Sequence, residues 1–471
     1  MDLVQRPTPF PSKTSGKTVP TATCTKKRAL EKLPVELWRE IFTHATQVIG
    51  GYDSGFVSPF DFSELNEGYH TFLYDLSINH RVKQALCLVS RAWHAIAQEL
   101  IFEYLFLQDG FDWTALADGL ELSCKTDDLY KGRGAGWYVR RLEICTYVWT
   151  PVLAAAAARV VRCCPNLRVL TVGAAQGPGE KPGLEGVPLE VIHAIMETCP
   201  RTLKALDWTV DLGSPATHDM FAQLSKLRQL QSFFMCVQLP YVLPVTYAEL
   251  CRIRAVELPN LHTMEIASPD CDPSGVLGVM AYWDLPSLKQ VTLCGQRRLQ
   301  NAIPFFAAHG PRITTLEFDR VGDDVDRMLK LCSKLTDLVT HIRYADEQIL
   351  GGHKKVKRVG LRGLHMAEHS YSDRCNAIEA LKEVFPAVLD KKRYPRMKIV
   401  RLLDYEQTRF SEQKWRACDV SFWAFWVKKF DRDGVRIEDH EGNVLAVKFS
   451  DAKVMLPEEI AIQHLETRHH D

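Results

Sequence analysis

The chain has 471 residues, more than one ordinary core organises, so more than one structural unit is expected. Lys plus Arg equals Asp plus Glu at 58 each, which excludes a general nucleic-acid or membrane-surface binder but leaves room for a local patch. The 14 cysteines, with no apolar leader at the start and no run of ~18 apolar residues, point to reduced thiols in a cytoplasmic or nuclear protein. Residues 1–28, rich in Pro, Thr, Ser and Lys, read as a disordered tail.

Two amphipathic helices are predicted next, over 31–45 and 81–107. In the first, Pro34 suits the first helical position and Glu36 favours the positive end of the helix dipole. Leu37, Ile41 and Ala45 recur at spacing four, with Trp38 and Phe42 beside them, giving one wide apolar stripe. In the second, Val82, Leu86, Val89, Trp93, Ile96 and Leu100 alternate at spacings of four and three.

Pattern alone describes two packed helices; the letters say more. Leu33-Pro34-x-Glu36-Leu37, then Ile41-Phe42, then Cys87-Leu88-Val89-Ser90-Arg91-Ala92-Trp93 before an apolar helix, resembles the F-box family in order and content. The resemblance implies that Leu33, Pro34, Leu37, Ile41, Leu88, Val89 and Trp93 lie at or just behind a surface that grips the Skp adaptor, and through it a cullin. Some of them must instead hold the module together. The F-box would span 29–101. Its departure from the family is the long segment 47–80 between the halves, rich in glycine and aromatic residues (Tyr52, Phe56, Phe60, Phe62), which reads as a loop that packs on something.

A phrase of the form apolar-x-x-apolar-x-apolar then recurs. It stands at Phe102, Val139, Leu167, Leu203, Leu261, Leu288, Ile313, Val356 and Met397, with partial copies starting at Leu227 and Leu335. Helical segments are expected between copies, at 152–164, 189–199, 219–227, 299–309 and 324–335. Pro-containing stops such as CPNL, CPRTL, LPNL and LPSL lead into the strands. Short strand, helix, short strand at ~20–29 residues per unit is leucine-rich-repeat architecture. A unit that cannot bury its apolar face alone stacks on its neighbours into a solenoid. The expected fold is thus α/β, a helical F-box followed by a leucine-rich-repeat-like solenoid over 102–404 and a C-terminal cap over 405–471. In the cap, residues 411–430 read as an aromatic helix and 435–449 as two strands. The Asn or Cys of regular repeats is missing eight residues after each phrase begins, so the units are similar to the degenerate repeats of many fungal F-box proteins.

Several constellations carry little chemistry. His365 and His369 have zincin spacing without the following Glu; Asp431 to Gly434 reads as a turn; Cys163-Cys164 lacks a second pair. The glycine-rich loop 173–186 lacks the GK[ST] of a phosphate loop. No catalytic group, metal or cofactor is nominated. The expected function is a substrate receptor of a Skp–cullin–F-box ubiquitin ligase with no catalysis of its own. The alternatives are a repeat scaffold with no ubiquitin link and, less supported, an enzyme whose site the sequence hides. Strand side chains alternate, so third and fifth phrase positions point away from the core. The fifth-position row, read from Thr171 through Asp207, Gln231, Glu265, Thr292, Glu317, Val339 and Gly360 to Arg401, with Arg358 at a third position, runs from acidic to basic. Asp207, Glu265, Glu317, Arg358 and Arg401 are therefore the candidate substrate contacts; the plainer reading is a solvated strand face.

Overall fold

The computed structural model describes residues 33–46, 60, 68–125, 133–146, 148–173, 186–211, 215–238, 256–268, 274–295, 302–318, 324–342, 351–364, 371–404 and 417–445. The chain forms two compact units, Met1–Ala45 and Thr46–Asp471. In the first, helix α1 (Val35–Ala45) starts where the Pro34 carbonyl accepts from the Leu37 and Trp38 amides at 3.1 and 3.2 Å. Its rings Trp38 and Phe42 lie 5.8 Å apart, one helical turn from each other, and Phe42 is buried.

The second unit opens with α2 (Gly68–Val89) and α3 (Arg91–Ile101). Two expectations need correction. The segment 47–80 is not loop throughout, because the helix begins at Gly68. Nor is 81–107 one helix. Ser90 takes an extended backbone (φ −161°, ψ 164°) and its hydroxyl accepts from the Trp93 amide at 3.2 Å, so it ends one helix and N-caps the next. Ile96, Ala97 and Leu100 form the buried stripe of α3.

Twelve strands follow in one sheet, ordered β1 to β12 as in the chain. They are β1 (Tyr104–Gln108), β2 (Arg141–Cys145), β3 (Val169–Gly173), β4 (Ala205–Asp211), β5 (Ser232–Gln238), β6 (Thr263–Ser268), β7 (Gln290–Gly295), β8 (Thr315–Phe318), β9 (Asp337–His341), β10 (Arg358–Arg362), β11 (Ile399–Leu402) and β12 (Arg436–Glu438). Every neighbouring pair is parallel. Helices carry the chain back between strands: α4 (Trp113–Lys125), α5 (Pro151–Arg162), α6 (Leu189–Thr198), α7 (Pro215–Leu224), α8 (Ser274–Met280), α9 (Ile303–His309), α10 (Val325–Leu331), α11 (Tyr371–Leu389) and α12 (Ala417–Arg432). This is a leucine-rich-repeat-like α/β solenoid. Its phrase positions one, four and six form one continuous apolar core, as in Leu203, Leu206 and Trp208 or Ile313, Leu316 and Phe318.

Register corrects the expected phrase at one place and completes it at another. Phe233 and Met235 stand opposite Leu206 and Trp208, so the unit starts at Leu230, three residues later than Leu227, and Phe234, not Gln231, sits beside Asp207. The Leu335 unit is in register, with buried Thr340 filling its last core position opposite Phe318. The run also continues beyond 404. Ile437 pairs with Val400 in the same parallel sheet, so Arg436–Glu438 is a twelfth rung, and only the bridge from Glu438 to Val444 is antiparallel.

The missing Asn ladder has a substitute. A polar side chain just before the first phrase position donates to a turn carbonyl one unit back. Asn166 Nδ2 reaches the Trp137 carbonyl at 3.0 Å, Thr202 Oγ1 that of Pro165 at 3.1 Å, Asn260 Nδ2 that of Arg228 at 2.8 Å, and Ser287 Oγ that of Pro259 at 2.6 Å. These bonds satisfy carbonyls that the turns would otherwise leave orphaned. The signal was present in the letters after each proline, in CPNL, LPNL and LPSL.

Candidate functional site

The candidate residues fall into two sets. The first comprises those of the two helical segments that resemble an F-box, one segment in each compact unit. On α1 and just before it, Leu33, Pro34, Leu37 and Ile41 are exposed, Leu37 at 43% and Ile41 at 46%. At the α2–α3 junction Leu88 is 87% and Val89 60% exposed, while Trp93 is half-buried. Burial thus separates roles that the sequence left merged. Phe42, Ile96, Ala97 and Leu100 are core, and Leu33, Leu37, Ile41, Leu88 and Val89 are outward-facing.

The junction is tied to the solenoid by a polar clamp. Buried Lys83 on α2 meets Glu103 at 3.8 Å, and the Glu103 carbonyl accepts from the amides of Arg140 and Arg141 at 2.8 and 3.0 Å. Burial pushes the Lys83 ammonium down and the Glu103 carboxyl up from their ordinary values, against the attraction between them. Desolvation is thus the larger effect on each, and the pair is more costly to break than to replace. Lys83→Ala is expected to destabilise the fold by about 1–2 kcal/mol, since the Glu103 charge loses its partner while keeping some water. The combined change Lys83→Met with Glu103→Gln should lie closer to wild type than Lys83→Ala alone. Urea titrations of the single and double variants measure this; additive losses would contradict it.

The second set lies on the face of the sheet turned away from the core. That face is not a row of solvated side chains. Glu143, at a fifth phrase position, is fully buried. It accepts from Tyr104 Oη at 2.9 Å and from Arg141 Nε at 2.7 Å. Asp207 lies half-buried on β4, two strands from Glu143. Burial, with help from Glu143 and against Arg141, lifts its carboxyl to about 7. Farther along, Arg358 holds Asp337 through two bonds of 2.6 and 2.8 Å, Arg362 holds Glu317, and Arg401 holds Glu438 at 2.7 and 3.1 Å. The expected acidic-to-basic row is therefore compensated at Glu317, Arg358 and Arg401. Glu317, Arg358 and Arg401 spend their charge on neighbours, and Glu265 accepts a weak bond from Cys294 Sγ at 3.9 Å.

This face is also partly occupied. Phe60, from the segment between the F-box halves, is buried against Val339 and Leu403. The Arg358 guanidinium lies 4.5 Å and that of Arg401 5.9 Å from its ring centre, and Arg401 also donates to the Phe60 carbonyl. Gly360 makes room: a Cβ there would fall 2.6 Å from Leu403 Cδ1 and 3.0 Å from Val339 Cγ2. Sequence reading had no route to this contact, since the partners are 341 residues apart. Glu143 was findable, because it occupies a fifth position in the Val139 phrase.

The remaining constellations stay chemically quiet. Burial pushes the Cys163 thiol to about 11 and those of Cys199 and Cys332 to about 12, far from a reactive thiolate. Asp431 to Gly434 is a turn, closed by the Gly434 amide donating to the Asp431 carbonyl at 3.0 Å. His365, His369, residues 174–185 of the glycine-rich loop and the tail 1–28 lie outside the described residues. Among the described residues no group of three or more potential metal ligands occurs, and no helix is long and apolar enough to cross a membrane.

No protein-family model matches the chain, and no curated protein sequence does. Solved structures give low-order likenesses. One is the leucine-rich repeat-containing protein LegL7 from Legionella pneumophila, at 11% identity and a TM-score of 0.33, covering 60% of this chain and 96% of that one. Another is the Rad7 and Elc1 complex in yeast, at 13% identity and a TM-score of 0.26, covering 78% of this chain and 88% of that one. The repeat architecture stands on the sheet itself.

Proposed function

We propose that the chain is an F-box substrate receptor: the 29–101 region docks on a Skp adaptor and thereby on a cullin, and the solenoid presents a protein substrate. The supporting observation is the exposure of Leu88 and Val89 at the α2–α3 junction. A folded chain with a large apolar core leaves two adjacent aliphatic side chains in water where the F-box motif places its contact residues. Apolar groups clustered outside a core mark a surface for a partner. Leu37 and Ile41 on α1 belong to the same motif and are likewise exposed. The receptor does no chemistry; it raises the local concentration of substrate beside a charged conjugating enzyme, in the cytoplasm or the nucleus. The second reading, a repeat scaffold with no ubiquitin link, rests on the same solenoid and needs no exposed junction.

Co-expression with a Skp adaptor and affinity capture of the complex tests the proposal. Leu37→Asp and Leu88→Asp are each expected to reduce capture at least tenfold, because a charge enters an apolar contact. Leu88 is almost fully exposed, so its variant folds as wild type, which circular dichroism checks. Capture of both variants at the wild-type level would leave the scaffold reading.

A further inference from the structure

The zero net charge hides a strong asymmetry. The turns that lead into the strands are 133–140, 163–168, 199–204, 225–231, 256–262, 283–289, 310–314, 332–336, 351–357, 390–398 and 433–435. Read from the sequence, they hold eighteen Lys and Arg against four Asp and Glu (Glu257, Asp284, Asp390 and Asp433). The excess lies along one edge of the molecule, because a backbone ladder stacks the second phrase positions in register. The Arg168 amide donates to the Arg140 carbonyl at 2.8 Å, Lys204 to Arg168 at 2.8 Å, Gln231 to Lys204 at 2.7 Å, His262 to Gln231 at 2.8 Å and Lys289 to His262 at 2.9 Å. The ladder then runs through Thr314 and Thr336 to Lys357 and Lys398, each step 2.8 to 2.9 Å. Neighbouring rungs of a parallel sheet lie about 4.8 Å apart. Arg140, Arg168 and Lys204 therefore stack at that spacing at one end of the rim and Lys357 and Lys398 at the other, with Lys289 between them among the neutral rungs Gln231, His262, Thr314 and Thr336.

Some of these charges are used internally. Arg393 meets Asp390 at 3.4 Å, Arg140 donates to the Trp137 and Asn166 carbonyls at 3.4 and 3.3 Å, Arg312 donates to the Ala308 carbonyl at 3.3 Å, and Arg133 lies 5.1 Å from the Trp137 ring centre. Arg168, Lys289, Lys357 and Lys398 are exposed; Arg168 feels the charge of Glu103, but among the described residues none of the four stands in a direct salt bridge. Like charges stacked at this spacing repel, so the fold gains nothing from the rim. Nor does the rim carry the apolar anchors that a protein partner's affinity usually needs. Its large exposed apolar residue is Tyr282, and Trp283 beside it is buried. An extended array of Lys and Arg without anchors is the chemistry that neutralises a phosphate backbone and releases its counterions.

We infer that the basic rim at the N-terminal ends of β2 to β11 binds nucleic acid through its phosphates, without reading sequence. This does not depend on adaptor docking. The two proposals fail separately, because the rim test contains no adaptor and uses residues away from Leu37 and Leu88.

The test is fluorescence anisotropy of the full chain with a labelled 20-base-pair duplex DNA of mixed sequence, repeated with a scrambled duplex, across 50 to 200 mM salt. Both duplexes are expected to bind alike, with affinity falling steeply as salt rises. The fourfold variant Arg168→Gln, Lys289→Gln, Lys357→Gln, Lys398→Gln should lose at least tenfold in affinity at 50 mM salt. Its slope of log affinity against log salt should flatten by about 3 to 4, near 0.9 for each phosphate contact removed. All four side chains are exposed, so an unchanged urea midpoint serves as the folding control. Wild-type affinity in the variant would overturn the assignment. So would displacement of the duplex by poly-glutamate at equal charge concentration, which would mean that an acidic protein segment is the better fit.

Discussion

Gly136→Ala is expected to destabilise the solenoid by about 2–3 kcal/mol, and to do so locally. Gly136 lies in the 3-10 turn Ala135–Tyr138, buried against the end of α5. A methyl group there would overlap the Cys163 carbonyl, with its carbon 2.7 Å away and Cys163 Cβ at 3.2 Å. These are largely backbone atoms at a helix C-cap, so no side chain can swing aside; the turn or the helix must shift. Solenoid units are coupled to their neighbours alone, so the loss should fall on β1 to β3 and fade beyond. Hydrogen exchange measured along the chain checks this. Faster exchange in β1 to β3 with unchanged protection in β8 to β11 is the expected result. Uniform loss, or none, would show that the contact is not limiting.

The second large effect concerns pH. Asp207 has a carboxyl raised to about 7 against an ordinary 3.8, mainly by burial and then by Glu143, with Arg141 opposing. Between these values the native state holds a proton that the unfolded chain has released. Native stability attributable to this group therefore falls as pH rises from about 4 to 7, and stays at its lower level above. At 1.36 kcal/mol per pH unit the penalty would be about 4 kcal/mol, and partial access to water reduces it to about 2. Asp207→Asn removes the titrating charge while keeping the shape. The variant should be more stable than wild type at pH 8 by about 2 kcal/mol and nearly equal to it at pH 4. Urea midpoints across that range decide the matter; a constant difference between the two proteins would refute the assigned cause. The same titration changes the charge of the sheet face near neutrality.

Much of the fold was legible because repeats write the same physical demand many times. Apolar residues at positions one, four and six must face one core whatever the neighbours are, so the phrase at Leu203 or Ile313 identifies its own strand and inward side. The F-box letters were equally local, since Ser90 caps a helix through an amide three residues away. The Leu227 phrase failed because Leu227 and Leu230 are both buried, and a local apolar pattern cannot choose between two such starts. Only the strand register, with Phe233 opposite Leu206 and Met235 opposite Trp208, settled it.

What the sequence determined by itself was therefore periodic or nearest-neighbour: the α/β repeat class, the segments that resemble an F-box and the polar letters that hold the turns. What only the tertiary structure decided depends on residues far apart in the chain arriving side by side. Glu317, Arg358 and Arg401 look like part of a gradient in a row, but the sheet sets them against Arg362, Asp337 and Glu438 of strands one or two places away, within hydrogen-bond distance. Phe60 reaches Leu403 for the same reason. The basic rim is the converse case. Its residues are scattered singly through a neutral composition, and the ladder of parallel strands is what gathers them onto one edge.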